Sequence, residues 1–289
     1  MKVTIIIACY NAEKYIKETL DSCINQSYKD IQIIITDDCS QDNSISVVNE
    51  WLDIRKKTHP NIECTLVCNE SNRGIPANCN AGLRYAKGDW IKFLGSDDLL
   101  HIDAISNFIS HIKSDPNKES LGAVFTYFKT FGNAIVSKKY PLPWTRLISA
   151  MPPSIIKKKL SNIQFSNLAP GAFIQRKFIQ SFDTNYRLLE DLPFWLQLIN
   201  NNIKTNFYDF ISVSYRIHSN QVTSRENKMN KMLYSDLVFL NKMRLFNKDY
   251  IGYVHNSFNL FCDKRNLKYL KIINPINIMI KIIDKVFSK

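Results

Sequence analysis

The sequence predicts an α/β fold: a mostly parallel, Rossmann-like sheet with helices on both faces and a helical C-terminal extension. Three observations predict it. Short apolar runs alternate with segments of helical period through the first hundred residues, most of those runs are apolar throughout, and polar residues cluster where they end. Unbroken apolar strands belong to parallel sheets covered on both faces. Such sheets bind ligands in the crevice beyond the carboxyl ends of their strands.

Taken in order, residues 3–8 form a continuous apolar strand, and Tyr15, Ile16, Thr19, Leu20, Cys23 and Ile24 then recur with helical period. Residues 31–36 form the second strand. Ser40 or Asp42 is placed to cap a helix that turns Ile45, Val48, Trp51 and Leu52 inward. A third strand over 62–67, a helix over 75–86, a fourth strand over 90–94 and a helix from Leu99 onward complete the regular half. Pro141, Pro143, Pro152 and Pro153 then mark a long connection. Strand-like stretches at 171–176 and 212–217 flank a helix containing Phe194, Trp195 and Leu198, and basic helices run to the end.

Bulk properties bound the function. With 289 residues, 45% apolar and 22% charged, the chain can bury a full core. The net charge of +12 is concentrated late, where residues 228–289 hold twelve Lys and Arg against four Asp. Such a tail suits nucleic acid, an anionic lipid surface, an anionic substrate, or simply a solvated face. Seven cysteines with no Cys-x-x-Cys pair imply a reducing, cytoplasmic setting without zinc or a disulfide framework. No window reaches the roughly 18 uninterrupted apolar residues of a spanning helix, and the N-terminal run reads as a strand rather than a signal peptide. Neither Gly-x-x-x-x-Gly-Lys nor Gly-x-Gly-x-x-Gly occurs, which disfavours Walker and dinucleotide-binding enzymes.

Three strand ends carry polar residues: Cys9-Tyr10-Asn11, Asp37-Asp38-Cys39-Ser40 and Gly95-Ser96-Asp97-Asp98. Adjacent carboxylates at Asp97 and Asp98 repel unless a positive charge lies beside them, and a hard divalent cation bridging a diphosphate fits. The alternative is a helix N-terminus, where the dipole favours carboxylates. Asp37 and Asp38 suit a nucleoside's N–H and hydroxyl groups, or the capping of the next helix. Trp144, among prolines, is a candidate sugar platform, and Trp195 could wall a site one turn beyond Glu190-Asp191.

Six blocks together carry a resemblance. They are Thr4-Ile5-Ile6-Ile7-Ala8-Cys9-Tyr10-Asn11, Ile35-Thr36-Asp37-Asp38-Cys39-Ser40, Asn72-Arg73-Gly74-Ile75, Phe93-Leu94-Gly95-Ser96-Asp97-Asp98, Glu190-Asp191-Leu192-Pro193-Phe194-Trp195 and Tyr215-Arg216-Ile217-His218. In order and spacing the chain resembles the family 2 glycosyltransferases of GT-A fold, over roughly residues 1–225. The resemblance implies a GT-A domain over 1–225, with a nucleotide-binding half at about 1–115 and an acceptor half at about 116–225. Residues 226–289 are then a basic helical extension.

The resemblance also implies roles. Ala8, Tyr10, Asn11, Asp38 and Arg73 hold the nucleotide, with Asp38 on the uracil. Asp97 lies at the sugar or ribose, Asp98 and His218 meet the metal, Mn²⁺ or Mg²⁺, and Asp191 is the general base. The donor implied is a UDP-sugar. The acceptor implied is a saccharide linked to undecaprenyl diphosphate, in O-antigen or capsule synthesis on the cytoplasmic face of the inner membrane. Two positions depart from the family pattern. Gly95 stands where many members have an acid, and Cys79 where many have Arg.

Inverting sugar transfer needs a base for the acceptor hydroxyl and a stabiliser for the departing diphosphate. The runner-up enzyme is a sugar-nucleotide nucleotidyltransferase, although the first strand is followed by no Gly-rich basic signature. A membrane- or nucleic-acid-binding module using the tail is the other class, and no nucleic-acid motif accompanies it. In the tail, Ile276, Met279, Ile280, Ile283, Val286 and Phe287 recur at helical spacing opposite Lys281, Lys285 and Lys289. That pattern over 276–287 suits an anionic membrane surface, or packing on the protein itself.

Overall fold

The computed structural model describes residues 1–133, 137–154, 156, 168–219, 221, 230–246, 250–265, 267, 270, 273–275 and 278. Five short strands and four long ones build a single nine-stranded sheet. They are β1 (Val3–Cys9), β2 (Ile31–Asp37), β3 (Glu63–Cys68), β4 (Trp90–Gly95), β5 (Leu99–Leu100), β6 (Leu121–Gly132), β7 (Lys139–Tyr140), β8 (Ala172–Gln175) and β9 (Lys204–Ile217). The strand order is β3-β2-β1-β4-β8-β6-β9-β5, with β7 paired to β6. β1 to β4 are mutually parallel, and β6 and β9 are parallel, whereas β8 runs antiparallel to both its neighbours.

Alternation along the buried strands supplies two cores. Ile5, Ile7, Ile33 and Ile35 face one layer, with residues of α1 (Ile16–Ile24), α2 (Ser44–Thr58) and α4 (Ala104–Ser114). Ile6 and Ile34 face the other, with α3 (Ile75–Leu83), α6 (Asp191–Asn200) and α7 (Lys231–Phe246). Each fully buried isoleucine contributes about 1.5–3 kcal/mol. That is why β1 and β2 lack the polar alternation of a one-sided strand. Two further helices, α5 (Pro143–Ser149) and α8 (Tyr250–Lys264), lie outside these clusters.

Several sequence expectations shift. No helix begins at Leu99. Leu99 and Leu100 form β5, paired to β9, and the helix starts at Ala104. The dipole explanation of Asp97-Asp98 therefore fails. β9 begins at Lys204, well before 212, and its pairing with β6 is interrupted by register shifts near Tyr127. Trp195 does not wall a crevice: it is 2% exposed and packs edge-on against Phe125 in the core. Trp144 falls in α5 and its side chain lies outside the described residues, as does the 276–287 stripe apart from Ile278. No helix among the described residues is long and apolar enough to cross a membrane.

Candidate active site

The register of the parallel strands brings the acidic ends together. Cys9 pairs with Asp37 across β1 and β2, and Ala8 pairs with Gly95 across β1 and β4. Neighbouring strands are ~4.8 Å apart. The two acidic turns therefore lie about two strand widths apart on the same edge.

On the β2 side hydrogen bonds stitch the loops after β1 and β2 together. Both strands exit through left-handed residues, Asn11 at φ 49° and Cys39 at φ 64°. Asn accepts that conformation readily, whereas Cys does so at a cost typical of functional turns. Asn11 N–H donates to Ser40 Oγ at 2.9 Å, and Asn11 Oδ1 accepts from Gln41 N–H at 2.8 Å. Ser40 also donates to Asp37, and Asp42 receives Glu13 N–H at 3.0 Å. Ser40 and Asp42 thus tie loop to loop, and Asp42 holds the first turn of α2 through Ser44 N–H.

Asp38 is 3% exposed. Its Oδ1 accepts from Asn69 Nδ2 (3.1 Å) and Arg73 N–H (3.0 Å), and its Oδ2 from Gly74 N–H (2.8 Å) and Arg73 N–H (3.1 Å). The carboxylate therefore organises the loop that leads into α3. Gly74, at φ 89°, admits no side chain, since a Cβ there would lie 2.3 Å from the carbonyl oxygen of Arg187. The Tyr10 side chain is exposed, Ala8 is half-buried, and Arg73 sits exposed on this loop.

On the β4 side Asp98 is 4% exposed, and its Oδ1 accepts from the backbone N–H of Arg216 at 2.9 Å. Burial first, and then the neighbouring Asp97, hold its carboxyl well above the usual range. Asp97 Oδ2 lies 2.8 Å from His218 Nε2. Arg216 locks the turn from above: its Nε donates to the Asp97 carbonyl (2.8 Å), its guanidinium pairs with Glu18 (2.6 Å), and it stacks on Tyr15 and Phe131. Lys92, wholly buried in β4, donates to the carbonyls of Pro170 and Ala172 (3.2 Å for the latter), and burial pushes its ammonium down to about 7.

Gly95 acquires a local meaning. A Cβ at this position would stand 2.8 Å from Asp97 Oδ1 and 3.3 Å from Asp98 Oδ2. The missing side chain leaves the space into which both carboxylates turn. A divalent cation fits this donor set, because the buried Asp98 carboxyl beside the partly exposed Asp97 needs a counter-charge when ionised. Among the described residues no group of three or more His, Cys, Asp or Glu side chains is arranged to hold a metal. A cation here would draw its remaining ligands from a bound diphosphate or water, as Mg²⁺ commonly does.

The third element is Glu190-Asp191 at the start of α6. Asp191 Oδ1 accepts from Leu192 N–H at 2.7 Å. Burial, with Asp191 alongside, pushes Glu190 up to about 8, and burial also raises Asp191. The preceding segment meets the nucleoside loop: Arg187 C=O accepts from Ile75 N–H at 2.8 Å, and its guanidinium donates to Asn72 Oδ1 at 3.0 Å. Cys79 is buried beside this region, its thiol raised by burial and then by Glu190 and Asp38.

A separate open groove of about 900 Å³ is lined by Asn80, Arg84, Lys87, Asp89, Arg176 and Lys177. It lies at the amino end of β4, opposite the acidic turns, and contains none of these carboxylates.

Of the residues singled out in the sequence, the structure brings Asp97, Asp98 and His218 to one turn and sets Asp37-Asp38 two strands away. Sequence reasoning missed the structural roles of Arg216, Glu18 and Tyr15, which meet only when the end of β9 crosses α1, and it missed Asp236 of α7, described below. Arg216 stood inside a recognised block, which was the one available signal.

A doubly covered sheet with two acidic turns on the carboxyl edge of its parallel strands is the architecture of a GT-A glycosyltransferase. The family model for glycosyl transferase family 2 matches residues 4–183, and the chain belongs to that family. It is 29% identical over 229 residues to the UDP-Glc:alpha-D-GlcNAc-diphosphoundecaprenol beta-1,3-glucosyltransferase WfaP of Escherichia coli, covering 78% of this chain and 81% of that protein. WfgD of Escherichia coli, named for the same activity, is 27% identical over 230 residues, covering 78% and 81%. Among solved structures, S. aureus TarS 1-349 in complex with UDP-GlcNAc aligns with TM-score 0.65 at 18% identity, over 90% of this chain and 73% of that one. The Pyrobaculum calidifontis mannosyltransferase PcManGT in complex with GDP-Man and Mn²⁺ aligns with TM-score 0.61 at 17% identity, over 99% and 80%.

Proposed function

We propose that the protein transfers a hexose or N-acetylhexosamine, with inversion, from a UDP-sugar to a hydroxyl of a lipid-diphosphate-linked saccharide in O-antigen or capsule assembly. The observation that carries this reading is the pairing of Asp97 and Asp98 with the β9 terminus, in register with the Asp37-Asp38 turn. WfaP and WfgD, whose names specify UDP-Glc, an undecaprenol-linked acceptor and a β-linked product, support the substrate class and the inversion.

Asp98 and His218 would hold Mn²⁺ or Mg²⁺, with Asp97, 2.8 Å from His218 Nε2, at the sugar or ribose beside it. When bound, such an ion supplies Lewis-acid stabilisation of the leaving diphosphate. Ala8, Tyr10, Asn11 and Arg73 line the nucleoside side, and Asp38, on the uracil in this reading, also fixes the Arg73 loop. Asp191 takes the proton of the acceptor hydroxyl as its oxygen attacks the anomeric carbon. The new C–O bond forms as the bond to the diphosphate breaks, and UDP leaves. Burial, with Asp191 alongside, holds the Glu190 carboxyl above its ordinary range and so favours a reduced charge beside Asp191.

A screen of UDP-, GDP- and dTDP-sugars with and without Mn²⁺, read as nucleoside diphosphate release, tests the reading. Release from a UDP-sugar that rises with Mn²⁺ is expected. Pyrophosphate chemistry on a sugar phosphate, without nucleoside diphosphate release, would instead identify a nucleotidyltransferase.

The basic stripe over 276–287 is read as a peripheral contact with the cytoplasmic face of the inner membrane, each lysine contributing on the order of 1 kcal/mol. Truncation after Asn274 is expected to abolish sedimentation with anionic vesicles and to spare donor hydrolysis. Continued sedimentation would overturn the membrane reading.

A further inference from the structure

We infer that Asp236, in a helix outside the nucleotide-binding sheet, is the positioning residue for Glu190-Asp191, acting through the backbone of residues 187–189. Asp236 is 4% exposed. Its Oδ1 accepts from Arg187 N–H at 3.1 Å, and its Oδ2 from Arg187 N–H (3.0 Å), Leu188 N–H (2.7 Å) and Leu189 N–H (3.0 Å). Residues 187–190 belong to no helix or strand. Their N–H groups therefore have no ladder partners, and three consecutive donors converge on one carboxylate as in an anion-binding nest.

What the grip controls gives it functional content. One residue beyond the held amides stands Glu190, and α6 begins at Asp191. On its other side the segment meets the nucleoside loop through Arg187 C=O and Ile75 N–H, and through the Arg187 side chain and Asn72. Asp236 itself is anchored by its helix: Leu240 is 2% exposed in the core, and Phe239 packs on Tyr186 at 5.1 Å between ring centroids. The carboxylate therefore transmits the position of α7 to the proposed base, while the loop before α3 keeps four hydrogen bonds to Asp38 besides its contacts with Arg187. Separate anchoring predicts separate effects: loosening Asp236 displaces the base and spares nucleotide binding. A displacement of about 1 Å costs on the order of 10²-fold in rate.

This inference rests on the reading of Asp191 as the base, and the test separates the two. In the full chain, Asp236→Asn keeps the size and removes the charge and one acceptor. Hydrogen exchange at amides 187–189 is expected to accelerate at least tenfold, transfer kcat to fall at least tenfold, and UDP affinity to stay within threefold. Unchanged exchange, or lost protection with kcat within twofold, overturns the inference. An equal loss of UDP affinity and kcat also overturns it, since that marks general loosening. If the wild type transfers from no sugar nucleotide, the functional reading fails, and the exchange arm still decides whether Asp236 holds the segment. Should the variant not fold, exchange in the wild type decides: rapid exchange at residues 187–189 overturns the proposal.

Discussion

His218 Nε2 lies 2.8 Å from Asp97 Oδ2, joining the end of β9 to the turn after β4 across 121 residues of sequence. Its ring also packs against Tyr15, with centroids 4.8 Å apart, so its orientation is fixed from two sides. This places His218 at the acidic turn, beside Asp97.

A residue so placed tunes a metal site, and removal of such partners typically costs ~10–100-fold in metal affinity or activity. His218→Ala is expected to raise the Mn²⁺ concentration needed for half-maximal donor hydrolysis by about that factor. Saturating Mn²⁺ should restore much of the rate. A Mn²⁺ titration identical to the wild type would remove His218 from the site.

Asp98 sets function against stability. Its carboxyl is held above the usual range, so its folding contribution is present at low pH and declines as pH rises through that raised value. Without metal, ionising this buried carboxyl is a burden. Asp98→Asn keeps an oxygen to accept from Arg216 N–H and removes the charge. We expect Tm to rise in chelator at pH 8, and transfer to fall ~100-fold or more, in line with the loss of several kcal/mol of charge stabilisation. A lower Tm with normal turnover would contradict both halves.

The Glu190-Asp191 pair was legible as a block, and its division of labour follows from burial. Both groups are raised, Glu190 to about 8. The proposed base is Asp191, whose Oδ1 accepts from Leu192 N–H at the start of α6. Glu190→Gln is therefore expected to keep transfer within about threefold, whereas Asp191→Asn should lose ~10²–10⁴-fold, the range of a general base, with UDP binding intact. The raised Glu190 destabilises the fold once ionised, so the Gln variant should gain stability over the wild type as pH passes 8. Measuring kcat and Tm from pH 6 to 9 checks both statements. If Glu190→Gln is the inactive variant, the roles are reversed.

How much could be read without coordinates differs between the two halves, for a physical reason. The strands at 3–8, 31–36 and 90–94 are buried on both faces, so their apolar runs announce them and their ends mark the crevice. β9 is half-exposed over much of its length, and 204–211 carries no alternation to announce it. The brief β5 read as helix because Leu99 and Leu100 lead into an apolar-periodic segment, and only pairing with β9 reveals the strand. Asp236 was invisible because its partners are backbone amides, which no side-chain pattern encodes. Gly95 looked like a lost acid in sequence, and in space it is the room that two neighbouring carboxylates occupy.

Asp38 yields the last prediction, in which nucleotide affinity and local folding fall together. Its two oxygens receive four hydrogen bonds from Asn69, Arg73 and Gly74, and its own N–H donates to Cys9 C=O at 3.0 Å, tying the loop before α3 to the ends of β1 and β2. Asp38→Ala strips the acceptors and leaves backbone donors in a buried turn. Charged hydrogen bonds contribute about 1.5–3 kcal/mol and orphaned donors cost a similar amount, so a loss of about 2–4 kcal/mol in stability is expected. UDP affinity should drop at least tenfold, through the displaced Arg73 loop as well as any direct contact with the base. Asp38→Asn discriminates the two routes: its Oδ1 can still accept from a nucleobase N–H, whereas its Nδ2 opposes the Arg73 and Gly74 N–H groups. If that variant binds UDP as the wild type does while its denaturation midpoint falls, Asp38 is structural only. If affinity falls with an unchanged midpoint, the carboxylate acts on the nucleobase directly. Calorimetry and urea denaturation on the same samples make that division.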